Sequence, residues 1–382
     1  MRVAAIAKEL QRRGHEIKFL AGEKLIPLIE GYGFDVVEFA GMPSMSFLSP
    51  APGTELIDSG LLKKKMEEGL EAVRKMEVAT GRREQADVLL CGTLTGIRAA
   101  KELGIPSVFT CLQPHGQKTL EMFDKGTEKE SWLKDFRQEM ADTASLILLE
   151  GIPELGHEGE RAADFQWLAG ANKKIRFTGP LLMDDPETMP SQEELKRRHI
   201  RDSHGRMVYV TIGGGSTLIG EQFLRIVLEA FPLLSGVKGV ISTGLDIPAE
   251  TISAFRPPDS VFIHTFVPGT EMIKASDVTV FHGGSSTLMT CLACGRPAVI
   301  IPSMGEQEDN AAVLTGKGAG ICLKKETLTA RALAEGIRGV LEDPLYRKKA
   351  EELQRLCRAY GGAERAASMV EQVVQGGGGS AK

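Results

Sequence analysis

The chain has 382 residues, which at roughly 150 per domain points to two domains, or three, and excludes a single small binding module. Its 42% hydrophobic and 25% charged residues lie near the globular average, so sizeable cores can form. With 46 basic against 51 acidic side chains, a net of -5, it has no broad field to attract nucleic acid or anionic lipid.

Forty-three glycines, about 11% of the chain against a usual ~7%, need a location and a reason. Six cysteines sit mostly inside apolar stretches, which suits buried thiols in a reducing compartment and predicts a cytoplasmic protein. No apolar run approaches the ~20 residues of a spanning helix, and the N-terminus has no signal-peptide order.

Val3, Ile6, Ala7 and Leu10 fall at helical spacing, Gly14 stops that helix, and residues 15–20 alternate as a strand. Residues 87–91 and 107–111 read as strands flanking a helix near 95–103, closed by Gly104 and Pro106, with further strands at 144–149 and 175–177. Two long irregular connections, 41–60 and 113–131, separate these elements. The Lys63, Lys64, Lys65 run has acidic neighbours and reads as an exposed helix face.

A Pro, Asp and Met-rich stretch at 179–186 resets the rhythm and is the linker candidate. Strands at 207–212, 237–242, 260–265, 277–281, 297–301 and 320–323 then alternate with helices at 218–233, 286–294 and 309–317. That alternation implies a parallel sheet covered on both faces. Helices at 327–341, 344–359 and 362–375 finish the fold, and the Gly-rich tail is left out of it.

The strand at 277–281 runs into His282, Gly283, Gly284, Ser285, Ser286 and Thr287 and then an apolar helix. Such a turn offers backbone N–H groups and the positive end of a helix dipole to an anion such as a diphosphate. An ordinary βα loop with a serine cap accounts for the same residues. Further on, Glu306, Gln307, Glu308, Asp309 and Asn310 gather acceptors and amides that suit a hydroxyl-rich ligand; an acidic first helical turn is the alternative. Phe266 and Val267 follow a third strand, and Gly213, Gly214, Gly215 and Ser216 a fourth. Four loops at strand carboxyl ends in one lobe are where open α/β sheets bind ligands.

In order, Phe266-Val267-Pro268, His282-Gly283-Gly284, Ser286-Thr287, Gly295-Arg296-Pro297, Pro302, Glu306-Gln307 and Asn310-Ala311 resemble the donor-binding signature of the UDP-glycosyltransferase family, macrolide and plant natural-product type. The resemblance extends weakly to Gly14-His15-Glu16-Ile17, Gly104-Ile105-Pro106 and Gly179-Pro180-Leu181. It implies two Rossmann-like doubly wound lobes facing a cleft, the fold called GT-B. The acceptor lobe would span 1–180, the donor lobe 181–360, and a terminal helix and tail 361–382. It also implies that His282, Gly283, Gly284, Ser285, Ser286 and Thr287 hold the diphosphate of a nucleotide sugar, with Gly213 to Ser216 lining it from the other side. Phe266 and Val267 would frame the base, and Glu306 and Gln307 would bind sugar hydroxyls.

The implied activity is an inverting, metal-independent transfer of a sugar from a UDP or dTDP carrier to a hydroxyl of a small acceptor, with no cofactor beyond that co-substrate. A lipid-linked or cell-wall sugar transferase of the same fold is the alternative. So is a non-catalytic nucleotide-sugar-binding or partner-dependent protein. Two departures stand out. The ribose-gripping carboxylate of the family aligns with Thr290, and the expected opening strand and its Gly-His loop have no counterpart before the first helix. The usual helper Asp would fall near Cys91 or Gly92, and His115 is the base candidate that remains. Cys291 and Cys294 are expected to pack in a core, since two thiols without a second pair do not make a zinc site.

Overall fold

The structure, a computed structural model, describes residues 2–22, 25–38, 59–112, 138–156, 174–211, 220–244 and 256–377, with backbone alone for 59–66 and 377. His115 and the run from Gly213 to Ser216 lie outside the described residues. Every strand pairing between named strands is parallel.

The first half opens with α1 (Arg2–Arg12), followed by β1 (Lys18–Ala21), α2 (Ile26–Glu30), β2 (Asp35–Glu38) and α3 (Ser59–Arg83). A four-stranded sheet comes next, in the order β3 (Leu89–Cys91), β4 (Ser107–Leu112), β5 (Leu146–Glu150) and β6 (Ile175–Gly179). Its strands are apolar at nearly every position because both faces are covered. Val108, Leu146 and Leu148 face Ala5, Ile6 and Leu10 of α1. The alternate residues Phe109, Ile147 and Leu149 face Ile97 of α4 (Leu94–Leu103), which packs against Met140 as well. β1 and β2 form a separate two-stranded sheet; α1 serves it too, with Ala4 and Ala7 against Phe34 and Phe19.

The second half holds a six-stranded sheet. In sequence its strands are β7 (Arg206–Thr211), β8 (Val237–Ser242), β9 (Val261–His264), β10 (Val278–Phe281), β11 (Ala298–Ile300) and β12 (Gly320–Cys322). In space the order is β12-β11-β10-β7-β8-β9, the doubly wound arrangement, with its reversal between β7 and β10. One face packs Val208, Val210, Val278 and Val280 against α6 (Gly220–Ala230) and α10 (Ala330–Glu342), through Leu224, Val227, Leu333 and Ile337. The other packs Met207, Tyr209 and Phe281 against α5 (Gln192–Ile200), α7 (Gly269–Ala275), α8 (Ser285–Cys294), α9 (Gly305–Gly316) and α11 (Pro344–Ala359). Cys291 and Cys294 are buried in this core.

The chain then returns to the first half. Tyr360 donates its hydroxyl to Glu154, and α12 (Gly362–Gly377) sets Ala366, Ala367 and Val370 against α1 and the four-stranded sheet. At the other crossing, exposed Asp184 pairs with Lys8 at 3.0 Å.

Some elements differ from the sequence reading. α9 begins at Gly305, four residues ahead of the expected start at 309, because Glu306 and Glu308 occupy its first turn, where the helix dipole favours carboxylates. α2, β2, α5 and α7 had no expected counterpart. The four and seven residues of β2 and α7 are too short to carry a period.

Ile6 is fully buried where α1, the sheet and α12 meet. Ile6→Ala should cost about 2–5 kcal/mol, read from the urea midpoint; a cost near zero would show that the α1 seam does not hold this half together.

Candidate functional site

β10 is the part of the molecule that aims the site. It is paired on both sides, by β7 and β11, and all four of its residues are buried. His282 therefore leaves the sheet from a fixed point beside the strand reversal, where open sheets leave a crevice.

Gly283 follows with φ +94°, in the left-handed region, and a Cβ there would lie 2.7 Å from the Gln307 carbonyl oxygen. Only glycine meets both conditions. Gly284 is the N-cap of α8; a Cβ on it would lie 2.7 Å from His282 Nε2, so the imidazole sits against the start of the helix.

α8 begins without a side-chain cap and without an acidic residue in its first turn. The N–H groups of Ser285, Ser286 and Thr287 have no intrahelical acceptor there, and the first helical bond runs from Leu288 N to Gly284 O at 3.0 Å. α9 has the opposite character, since Glu306 and Glu308 already meet its positive end. Of the two helix starts at this edge, α8 is the one left for an external anion.

The two turns are tied to each other. Asn310, 2% exposed, donates from Nδ2 to Gly283 O at 2.8 Å and to Ser285 Oγ at 3.1 Å. Ser285 Oγ in turn donates to Glu306 Oε1 at 2.6 Å. The sequence grouped Asn310 with Glu306 and Gln307 as amides and acceptors for a hydroxyl-rich ligand but not as a clamp on the turn, because a single amide on a helix does not announce which backbone oxygen it holds. Gln307 is 5% exposed, and its Oε1 accepts from Ser303 N at 2.9 Å and Ser303 Oγ at 2.8 Å. The amide carbonyl thus braces the loop after β11. Glu306 is the half-buried carboxylate at the mouth.

His282 Nδ1 is buried and has no hydrogen-bond partner among the described residues. Burial pushes the imidazole pKa below its ordinary value, against the opposing pull of Glu306. The ring is thus held neutral, with one N–H to donate and one lone pair. Thr290 turns its hydroxyl back to Ser286 O at 2.9 Å, within its own helix. Phe266 is 74% exposed just past β9, with Val267 packed against the core beneath. An exposed aromatic face of this kind is suited to stacking on a flat ring.

The family described as "Erythromycin biosynthesis protein CIII-like, C-terminal domain" matches residues 245–362. Over 384 residues the chain is 30% identical to an uncharacterized glycosyltransferase of Methanosarcina mazei, covering 97% of this chain and 94% of the relative. It is 24% identical over 385 residues to the NDP-glycosyltransferase YjiC of Bacillus subtilis, covering 96% and 92%. Among solved structures, the SsfS6 glycosyltransferase of Streptomyces sp. SF2575 complexed with thymidine diphosphate superposes with a TM-score of 0.65 at 20% identity, covering 97% of this chain and 96% of that one.

Two tests follow from the clamped turn. Asn310→Ala should cost about 1–3 kcal/mol, since it strands a buried carbonyl, and an unchanged denaturation midpoint would remove it from the clamp. His282 has a folded pKa below its unfolded value of ~6.5. Its contribution to stability is therefore complete above that pH and is lost as pH falls through the folded value. Wild type should lose more stability than His282→Gln between pH 7 and 5; parallel losses would place the imidazole in solvent.

Proposed function

The chain belongs to the UDP-glycosyltransferase family and is a glycosyltransferase, and from that premise we propose that it moves a sugar from a UDP or dTDP carrier to a hydroxyl of a small acceptor, with inversion. The observation that carries the reading is the start of α8, which has no side-chain cap among the described residues, with a neutral His282 beside it. This is a set of donors waiting for an anion, fixed in place before the ligand arrives.

In this reading the diphosphate lies against Ser285, Ser286, Thr287 and His282. The base stacks on Phe266, and Glu306 accepts from sugar hydroxyls. Negative charge grows on the diphosphate as the glycosidic bond breaks. Donors already aimed at it stabilise the transition state more than the ground state, and they do so without reorganising. The carboxylate at Glu306 is set off from the helix start by the Ser285 hydroxyl that it accepts, so the anion and hydroxyl subsites stay distinct.

Charge neutralisation by the helix start and His282 makes a metal unnecessary in this scheme. The acceptor attacks the anomeric carbon from the face opposite the diphosphate, which inverts that centre and requires a base for the acceptor proton. The dTDP option is supported by the thymidine diphosphate in the SsfS6 complex, and the nucleoside-diphosphate class by the name of the YjiC relative. The cysteine usage supports a cytoplasmic location, and no helix among the described residues is long and apolar enough to cross a membrane.

A thermal-shift panel of UDP, dTDP and GDP tests the donor site directly, because a ligand of the native state raises stability by mass action. UDP or dTDP should raise the Tm, and His282→Ala should abolish the rise. No shift by any nucleotide at millimolar concentration would overturn the donor reading. Transfer should also survive excess EDTA, and a chelator-sensitive rate would return the diphosphate charge to a metal.

A further inference from the structure

The second unpaired buried group of interest lies in the other half, at the carboxyl end of β3. Thr93 is the N-cap of α4, a position where a threonine hydroxyl ordinarily accepts from the helix N–H groups. Here it makes no cap bond. Thr93 Oγ1 instead lies 3.0 Å from Thr95 Oγ1, and Thr95 Oγ1 donates to Glu77 Oε1 of α3 at 3.2 Å. Thr93 is exposed and Thr95 is 3% exposed. The hydroxyls thus lead from the surface, at the end of a strand, inward to a carboxyl.

No cation among the described residues pairs with that carboxyl. Glu77 Oε2 is buried and has no partner among the described residues, and neither has Thr80 Oγ1 on the next turn of the same helix. Of the charged groups on the two packed helices, Arg74 is bound to Glu71 and Glu102, and Arg98 to Glu139. Cys91 of β3 lies nearby and donates to Val108 O; burial and Glu77 push its thiol up to about 12, so it stays protonated. Gly96 has Cys91 and Glu77 as neighbours of the Cβ it lacks.

We propose that Glu77, Thr95 and Thr93 form a proton relay that takes the acceptor hydroxyl's proton during glycosyl transfer, Thr93 touching the acceptor and Glu77 being the terminal proton acceptor. The proposal rests on the transferase reading above. The acceptor oxygen bonds to the anomeric carbon as the carbon–oxygen bond to the diphosphate breaks, and the diphosphate leaves with that electron pair. The acceptor proton passes to Thr93 Oγ1, the Thr93 proton to Thr95 Oγ1, and the Thr95 proton to Glu77 Oε1. Glu77 becomes a neutral acid and later returns the proton to solvent along the same hydroxyls.

Burial lifts Glu77 to about 7, against the lowering effect of the Thr95 hydrogen bond. At that value it is ionised in part at neutral pH and accepts a proton without leaving a strongly disfavoured charge. The location agrees with the chemistry, since ligands of open α/β sheets meet the carboxyl ends of the strands.

The test uses the full chain, UDP-glucose or dTDP-glucose as donor, and phenols of graded acidity as acceptors. Glu77→Gln and Thr95→Val should lower transfer about 10²–10⁴-fold at neutral pH, with the nucleotide thermal shift unchanged and activity restored in Thr95→Ser. The loss should shrink as the phenol becomes more acidic, and the rise of wild-type kcat/KM through pH about 7 should vanish in Glu77→Gln. A loss equal for all phenols, or an unchanged pH profile, would overturn the relay.

If wild type transfers to none of the phenols, the transferase reading fails for these acceptors, while infrared titration still decides on Glu77. The protonated-carboxyl band absent from Glu77→Gln should disappear near pH 7. A band titrating in the ordinary carboxylate range would overturn the proposal.

Discussion

The bond from Asn310 to the Gly283 carbonyl is the constraint on which the geometry of the candidate donor site depends. Gly283 has a positive φ and lies against the Gln307 backbone, so the turn has no side chain of its own to hold it. A buried amide from the neighbouring helix supplies that hold and also orients Ser285. The uncapped start of α8 then points to a fixed place. Without the clamp the same N–H groups would exist, but they would not be preorganised, and preorganisation is what makes such donors effective against developing charge.

The two halves put unpaired polar groups at the ends of their strands in different ways. Among the described residues, the helix start after β10 has no side-chain cap, and the neutral imidazole beside it leaves Nδ1 unpaired. After β3 the unpaired group is an acceptor, a carboxyl reached through two hydroxyls. Buried polar atoms without partners cost stability, and such costs concentrate where a ligand or a proton is to be met. Other orphans, Arg2 Nε and Arg296 Nη1, belong to guanidinium groups that are otherwise engaged, Arg2 with Glu150 and Arg296 with the Lys274 carbonyl.

Much of the second half was legible in the sequence because strand, turn and helix alternate there with short connections and clean glycine stops. β8 and α11 match their expected spans, and the other strands fall within a residue or two of theirs. The first half was harder. α3 begins inside a stretch whose charge pattern carries no sharp start, and β2 is four residues long. His115 and Gly213 to Ser216 fall outside the described residues, so the acceptor-base expectation and the expected second phosphate-lining loop keep only their sequence argument.

The sequence by itself determined the α/β class and the order of the strands in the second half, and it singled out the glycine turn after β10, because local spacing, glycine positions and strand ends are all written along the chain. Only the tertiary structure decided that Asn310 clamps Gly283, that Gln307 braces Ser303, and that α12 returns to α1. It alone joined Glu77 to Thr95 across 18 positions of sequence. The physical reason is the same in each case. A hydrogen bond or a packed seam between distant residues leaves no period and no motif in the chain, and it exists only when two independently formed elements are set side by side.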